Sequence, residues 1–222
     1  MKENFIHVTF VIDNSGSMYG SVNDVVGGFN KTIEEQKNLK NGECAISLFT
    51  FNGSVTEHYL GKDINEIDVF EYHPSGMTAL YDGVGQAIDK VGKWLSNMDE
   101  KDRPSKNLIV IMTDGEENSS KEYTSTQLKE MIKHQEDVYN WSFVYMGTDL
   151  TNINDAKDLG IRMSSVSSRK NLGNSYSMIN NVTSCYRNAS SLSEAQATMD
   201  WLQSECEVTT ASYEVENNIK LS

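Results

Sequence analysis

The sequence predicts an α/β fold: a three-layer, doubly wound, mostly parallel six-stranded sheet with one antiparallel edge strand and helices on both faces. Three observations carry that expectation. Residues 8–12, 108–112 and 141–146 are apolar runs with little polar alternation, as strands buried on both faces of a parallel sheet should be. Each run stops abruptly at polar residues, where an open α/β sheet places its ligands. Between the runs lie apolar residues at spacings of three and four, the mark of crossover helices.

The first run, Val8-Thr9-Phe10-Val11-Ile12, ends in Asp13-Asn14-Ser15-Gly16-Ser17-Met18. Spacing by two lets one tight turn, relaxed by Gly16, aim the oxygens of Asp13, Ser15 and Ser17 at one point, and converging hard oxygens suit a hard cation. Val22, Val25, Val26, Phe29, Ile33 and Gln36 then mark one face of a helix, capped by Ser21 or Asn23 and ending near Asn41-Gly42. Runs at 44–51 and 55–60 flank Asn52-Gly53, a strong hairpin signal that makes one strand antiparallel.

A polar connection over 62–77 ends in Pro74-Ser75-Gly76. Thr78 precedes the helical stripe Leu80, Val84, Ile88, Val91 and Leu95, and on local sequence alone it reads as the cap of that helix. His73 reads as a solvated loop histidine. The run 108–112 closes on Thr113-Asp114-Gly115-Glu116-Glu117, the same pattern as the first strand. Adjacent parallel strands lie about 4.8 Å apart, so Asp13 and Asp114 can share a cation if their strands are neighbours. Taken singly, Asp114-Gly115 is an ordinary turn, and Glu116 and Glu117 are acids leading the next helix, over 123–136.

After the strand at 141–146, Asp149, Asn152, Asn154 and Asp155 fail the EF-hand pattern at Ile153 and read as turn and capping groups for a short helix over 155–159, stopped by Gly160. A shorter, more polar strand over 161–166 suits the other sheet edge. Two helical stripes follow, Leu172, Tyr176, Ile179, Val182 and Tyr186, then Leu192, Ala195, Met199 and Leu202 after a Ser193-x-x-Gln196 capping box. The expected organisation is one domain over 1–203, with its core at 5–166 and closing helices at 171–203, followed by an acidic, partly disordered tail over 204–222.

At 222 residues the chain can bury one substantial core. Its 32 acidic against 19 basic residues give a net charge of -13, which argues against nucleic acid and anionic membrane as partners. No apolar run approaches the roughly 20 residues needed to span a bilayer. The amino terminus leads straight into the first strand, and Cys44, Cys185 and Cys206 are odd in number without metal-type spacing. A cytoplasmic protein with reduced thiols is therefore expected. The oligomeric state stays open.

Asp13-Asn14-Ser15-Gly16-Ser17 resembles the Asp-x-Ser-x-Ser signature of von Willebrand factor type A (vWA) domains, the family that includes the integrin inserted domains. Gly76-Met77-Thr78-Ala79-Leu80 and Thr113-Asp114-Gly115 match two further family segments in order, so the metal-ion-dependent adhesion site motif is intact. One such match is a weak signal; three in order are strong. The resemblance covers roughly 5–166 and reverses the capping preference at Thr78. It implies a divalent cation, Mg2+ or Mn2+ with Ca2+ as a further candidate, held by Asp13, Ser15, Ser17, Thr78 and Asp114. It also implies direct ligation by Ser15, Ser17 and Thr78, with the aspartates binding the ion or its waters, and an open position that takes an Asp or Glu side chain from a protein partner. The chain's own acidity adds that this partner should be basic or neutral around that residue.

Two other function classes compete. A structural or assembly subunit would use the ion only to staple its loops. A metal-dependent phosphotransferase or hydrolase would use Asp13 as nucleophile; the haloacid dehalogenase pattern then wants a second acid two residues on, where Ser15 stands. No Gly-x-x-x-x-Gly-Lys loop and no cysteine and histidine pair supports nucleophilic chemistry, so no enzyme is expected.

Overall fold

The apolar runs form the middle of one mixed sheet in a computed structural model that describes residues 1–39, 41–147, 155–161, 163–166, 172–191, 193–195 and 197. The strands are β1 (Lys2–Asp13), β2 (Glu43–Phe51), β3 (Val55–Asp63), β4 (Pro104–Thr113), β5 (Ser142–Gly147) and β6 (Met163–Val166). Their spatial order is β3-β2-β1-β4-β5-β6, with only β2 and β3 antiparallel. Four longer helices connect or close the sheet: α1 (Val22–Asn38), α2 (Leu80–Ser96), α3 (Ser125–Tyr139) and α4 (Leu172–Asn188).

Alternate side chains of a strand face opposite ways, and here both faces are covered. Val8, Phe10 and Ile12 of β1 pack with Val25, Phe29 and Ile33 of α1 and with Tyr176, Ile179, Val182 and Tyr186 of α4. Val11 of β1 and Ile109 and Ile111 of β4 turn to the other face, toward Leu80, Val84 and Ile88 of α2 and Leu128 and Ile132 of α3. The result is three layers. Ile12 pairs with Met112, so the chain leaves β1 and β4 side by side at their carboxyl ends.

The Asn52-Gly53 hairpin forms between the expected runs: Phe51 pairs with Val55, Gly53 keeps a negative φ, and Ser54 N donates to Asn52 Oδ1 at 3.1 Å. Other local expectations are corrected. The connection after β3 is less polar in role than in composition, because Ile64, Ile67, Phe70 and Tyr72 are buried in it. Helix α1 follows a short 3-10 turn over Gly16–Ser21, ends at Asn38, and receives no side-chain cap from Ser21. Helix α3 starts at Ser125 behind a capping box of Thr124 and Gln127. Near 193, Ser191 is the capping residue, its Oγ accepting from Glu194 N at 3.1 Å.

Helix α4 is seated by two buried cations. Arg187, 8% exposed, donates to the carbonyls of Gln36, Leu39, Asn41 and Gly42 around the end of α1. Lys106 of β4 donates to the carbonyls of Tyr186 and Ala189 at the end of α4. Each charge meets the negative end of a helix dipole and satisfies carbonyls that helix ends leave orphaned. Cys44 and Cys185 are free. The Asp149, Asn152 and Asn154 cluster, Gln196, Met199, Leu202, Cys206 and the 204–222 tail lie outside the described residues.

Candidate metal centre

Three loops meet above the carboxyl ends of β1 and β4. In the first, Asp13 is fully buried; its Oδ1 accepts from Ser15 N at 2.7 Å and its Oδ2 from Thr113 Oγ1 at 2.6 Å. The Tyr72 hydroxyl donates to the Asp13 carbonyl from below. Burial pushes the Asp13 carboxyl above the usual carboxylate range; the hydrogen bonds from Thr113 and Ser15 oppose that, and the Asp114 charge reinforces it. A cation nearby would relieve both the burial and the repulsion.

The second loop is stitched to the first by backbone. Ser75 N donates to Asn14 O at 2.8 Å and Gly16 N to Gly76 O at 3.1 Å, with Gly76 in the left-handed region at φ 80°. The β2–β3 turn joins them: Asn14 N donates to Phe51 O and Ala79 N to Asn52 O, both at 2.6 Å. Thr78 is buried but does not cap α2, whose N-cap position is Ala79, without a side-chain bond. The cap comes from the third loop instead, where Glu117 Oε2 accepts from Tyr81 N at 3.0 Å and Ser120 Oγ from Asp82 N at 3.1 Å. Glu117 therefore serves α2 and does not lead α3.

Oxygens from all three loops converge. Ser15 Oγ and Ser17 Oγ lie 2.9 Å apart, and Ser17 Oγ donates to Asp114 Oδ1 at 2.5 Å. The point that a Cβ on Gly115 would occupy is 3.0 Å from Thr78 Oγ1 and 3.4 Å from both Asp13 Oδ2 and Ser17 Oγ. Gly115 thus leaves open a cradle that any side chain would crowd. Asp13, Ser15, Ser17, Thr78 and Asp114 are all brought together, while His73 is exposed. Two carboxylates and three hydroxyls make an all-oxygen donor set, which fits a hard divalent cation. Among the described residues no group of three or more His, Cys, Asp or Glu could hold a metal ion, so a cation here would depend on the three hydroxyls beside the two carboxylates.

A von Willebrand factor type A domain model matches residues 7–197. The chain belongs to the vWA family. Solved structures similar to this vWA domain include the vWF domain of the type V pili tip protein Mfa5 from Porphyromonas gingivalis, at 10% identity and TM-score 0.60, covering 83% of this chain and 96% of that one. Proximal thread matrix protein 1 from the mussel byssus, with a zinc-occupied MIDAS motif, is similar at 16% identity and TM-score 0.56, covering 80% and 45%. The PilB minor pilin from Streptococcus sanguinis follows at 13% identity and TM-score 0.55, covering 79% and 60%. At such identities the likeness shows the fold. This chain spans about half the length of the first solved structures it matches. No curated protein matches it by sequence.

The vWA residues that sequence reasoning missed are those supporting the five. Thr113 and Tyr72 hold Asp13. Asn118 holds Thr78, and Asp82 accepts from Lys121 N, Glu122 N and Tyr123 N at 2.8 to 3.0 Å. One signal was available: an aspartate on the inward side of the first turn of an apolar helix needs a partner.

Proposed function

We propose that this vWA domain is a metal-dependent protein-interaction module. Asp13, Ser15, Ser17, Thr78 and Asp114 hold a divalent cation, Mg2+ or Mn2+, and a partner protein offers an Asp or Glu side chain to it. The observation that carries this reading is the meeting of Asp13 Oδ2 and Ser17 Oγ from the first loop with Thr78 Oγ1 from the second, all within 3.4 Å of one open point at Gly115 of the third. When bound, the ion supplies a Lewis-acidic position, because two carboxylates and three neutral hydroxyls leave a divalent charge electrophilic toward an outside oxygen. Five side-chain oxygens suit an octahedral ion better than Ca2+, which takes about 6 to 8 ligands.

The chain's own residues do the rest. Ser15 N and Thr113 Oγ1 fix the Asp13 carboxylate, and Gly115 keeps the space clear. Ser17 is the solvent-exposed member of the set. Tyr19 and Met77, adjoining the first two loops, are 77% and 55% exposed and offer the kind of aromatic and thioether contact that interfaces favour. A nucleophilic role for Asp13 is disfavoured because the residue is fully buried and both its oxygens accept hydrogen bonds. A purely stapling ion is disfavoured because backbone bonds already join the loops.

The test is calorimetric and then functional. MnCl2 titrated into the native chain should bind with a dissociation constant of about 1 mM or tighter, which is about 4 kcal/mol, and Asp13→Ala should abolish the heat. Immobilised native chain should retain a partner in MgCl2 and release it with EDTA, whereas Asp13→Ala should retain none. Identical recovery by both chains, with and without EDTA, overturns the proposal.

A further inference from the structure

The bonds around Thr78 support a second step, which rests on the reading just given. Nothing local fixes this threonine: it follows Gly76 and Met77, and its side chain does not cap α2. Its restraint comes from forty positions later. Asn118 Oδ1 accepts from Thr78 N at 2.9 Å, and Asn118 N donates to Thr78 O at 3.0 Å. Both backbone polar groups of Thr78 are thereby held by one residue, which fixes the direction of its Cα–Cβ bond and so limits its hydroxyl to the few rotamer positions around that bond.

Asn118 is itself anchored. Glu117 Oε1 accepts from Ser119 N and Ser120 N at 2.8 and 2.7 Å, while its other oxygen holds Tyr81 N at 3.0 Å. Asp82 fastens the amides of Lys121, Glu122 and Tyr123. Residues 117–123 are therefore strapped across the first turn of α2, and the strap carries Asn118 to Thr78. On the open side, Thr78 Oγ1 stands 3.0 Å from the Gly115 Cβ position, so the hydroxyl already leans into the cradle.

We infer that Asn118 is a positioning residue that fixes Thr78 Oγ1 and so makes the site select Mg2+ over Ca2+. Mg2+ demands near-ideal octahedral oxygens at about 2.0 to 2.1 Å, whereas Ca2+ sits at about 2.3 to 2.6 Å in flexible shells. A threonine pinned at both its amide and its carbonyl cannot retreat to admit the larger ion. Freed from the carboxamide, Thr78 can retreat, and the small ion loses more than the large one.

The test titrates MgCl2 and CaCl2 separately into the native chain, Asn118→Ala and Asn118→Ser, with thermal unfolding in EDTA alongside. Losing a group that orients a metal ligand typically costs 10- to 100-fold in affinity, so Asn118→Ala should bind Mg2+ about tenfold more weakly. Its Ca2+ affinity should change less, so the Mg2+ to Ca2+ affinity ratio falls. Asn118→Ser, which keeps a short acceptor, should give an intermediate ratio and reports alone if the alanine chain fails to fold. A ratio unchanged in chains that fold in EDTA overturns the role of Asn118 while leaving the metal site standing. A native chain that binds neither ion overturns both.

Discussion

His7 lies within β1, paired with Ala45 and Asn107, and is fully buried. Its Nε2 is 2.8 Å from Ser47 Oγ and its ring centroid is 4.8 Å from that of Trp94. Burial lowers its pKa to about 3, so the folded chain keeps the imidazole neutral. The unfolded chain takes up that proton near pH 6.5, so between pH 6.5 and 3 the unfolded state binds more protons. Stability from this group is thus full above 6.5 and falls as pH falls, by about 1.4 kcal/mol per unit. Between pH 7 and 5 the native chain should lose about 2 kcal/mol more than His7→Gln in urea unfolding, and equal losses would contradict the assignment. At this scale Asp13, Ser15 and Ser17 were legible because a strand end and a tight turn are local patterns. Thr78 and Asp114 needed the ordered comparison of loops, since each alone reads as a cap or a turn. Asn118 and Glu117 were illegible because their partners, Thr78 and Tyr81, lie 36 to 40 positions away.

Helices α1 and α4 meet along a seam that depends on the absence of one methyl group. A Cβ on Gly28 would stand 2.1 Å from a ring carbon of Tyr176, whereas one on Gly27 would meet nothing within 4 Å. Gly28→Ala should therefore destabilise by about 1 to 3 kcal/mol through overpacking. Gly27→Ala, on the same helix, should stabilise by about 0.5 to 1 kcal/mol through helix propensity. Thermal melts moving in opposite directions would bear this out; two shifts of the same sign would not. Arg187→Met would strand buried carbonyls at the end of α1, and at about 1 to 3 kcal/mol for an unsatisfied group it should cost about 3 kcal/mol in denaturant unfolding. The apolar stripe of α4 was visible in the sequence because it repeats every three or four residues. The cations that seat the helix were not, since Arg187 and Lys106 satisfy the end of a different element. The hairpin at Asn52-Gly53 was legible as well, since the runs at 44–51 and 55–60 leave only residues 52–54 for the turn, and Phe51 pairs with Val55.

For the whole molecule, a ligand that binds only the folded state stabilises it by RT ln(1 + [L]/Kd). With a dissociation constant of about 1 mM, 10 mM MgCl2 should add about 1.4 kcal/mol to the unfolding free energy relative to EDTA. Asp13→Ala at matched ionic strength should show no such gain, which separates site binding from screening of the -13 charge. The α/β architecture was legible at this scale because buried parallel strands and crossover helices differ in period. The burial of Phe70 and Tyr72 in a loop was not, because neither residue belongs to a repeating pattern.

The strand order has a further consequence for how the molecule is made. β1 is made before the other strands of the sheet yet lies between β2 and β4, and β4 begins only at Pro104. Until then one side of β1 is a bare row of amides and carbonyls, a template for sticking to a neighbouring nascent chain. Asp114 emerges later still, so a half-finished polypeptide has neither that flank covered nor the three loops of the candidate metal centre assembled.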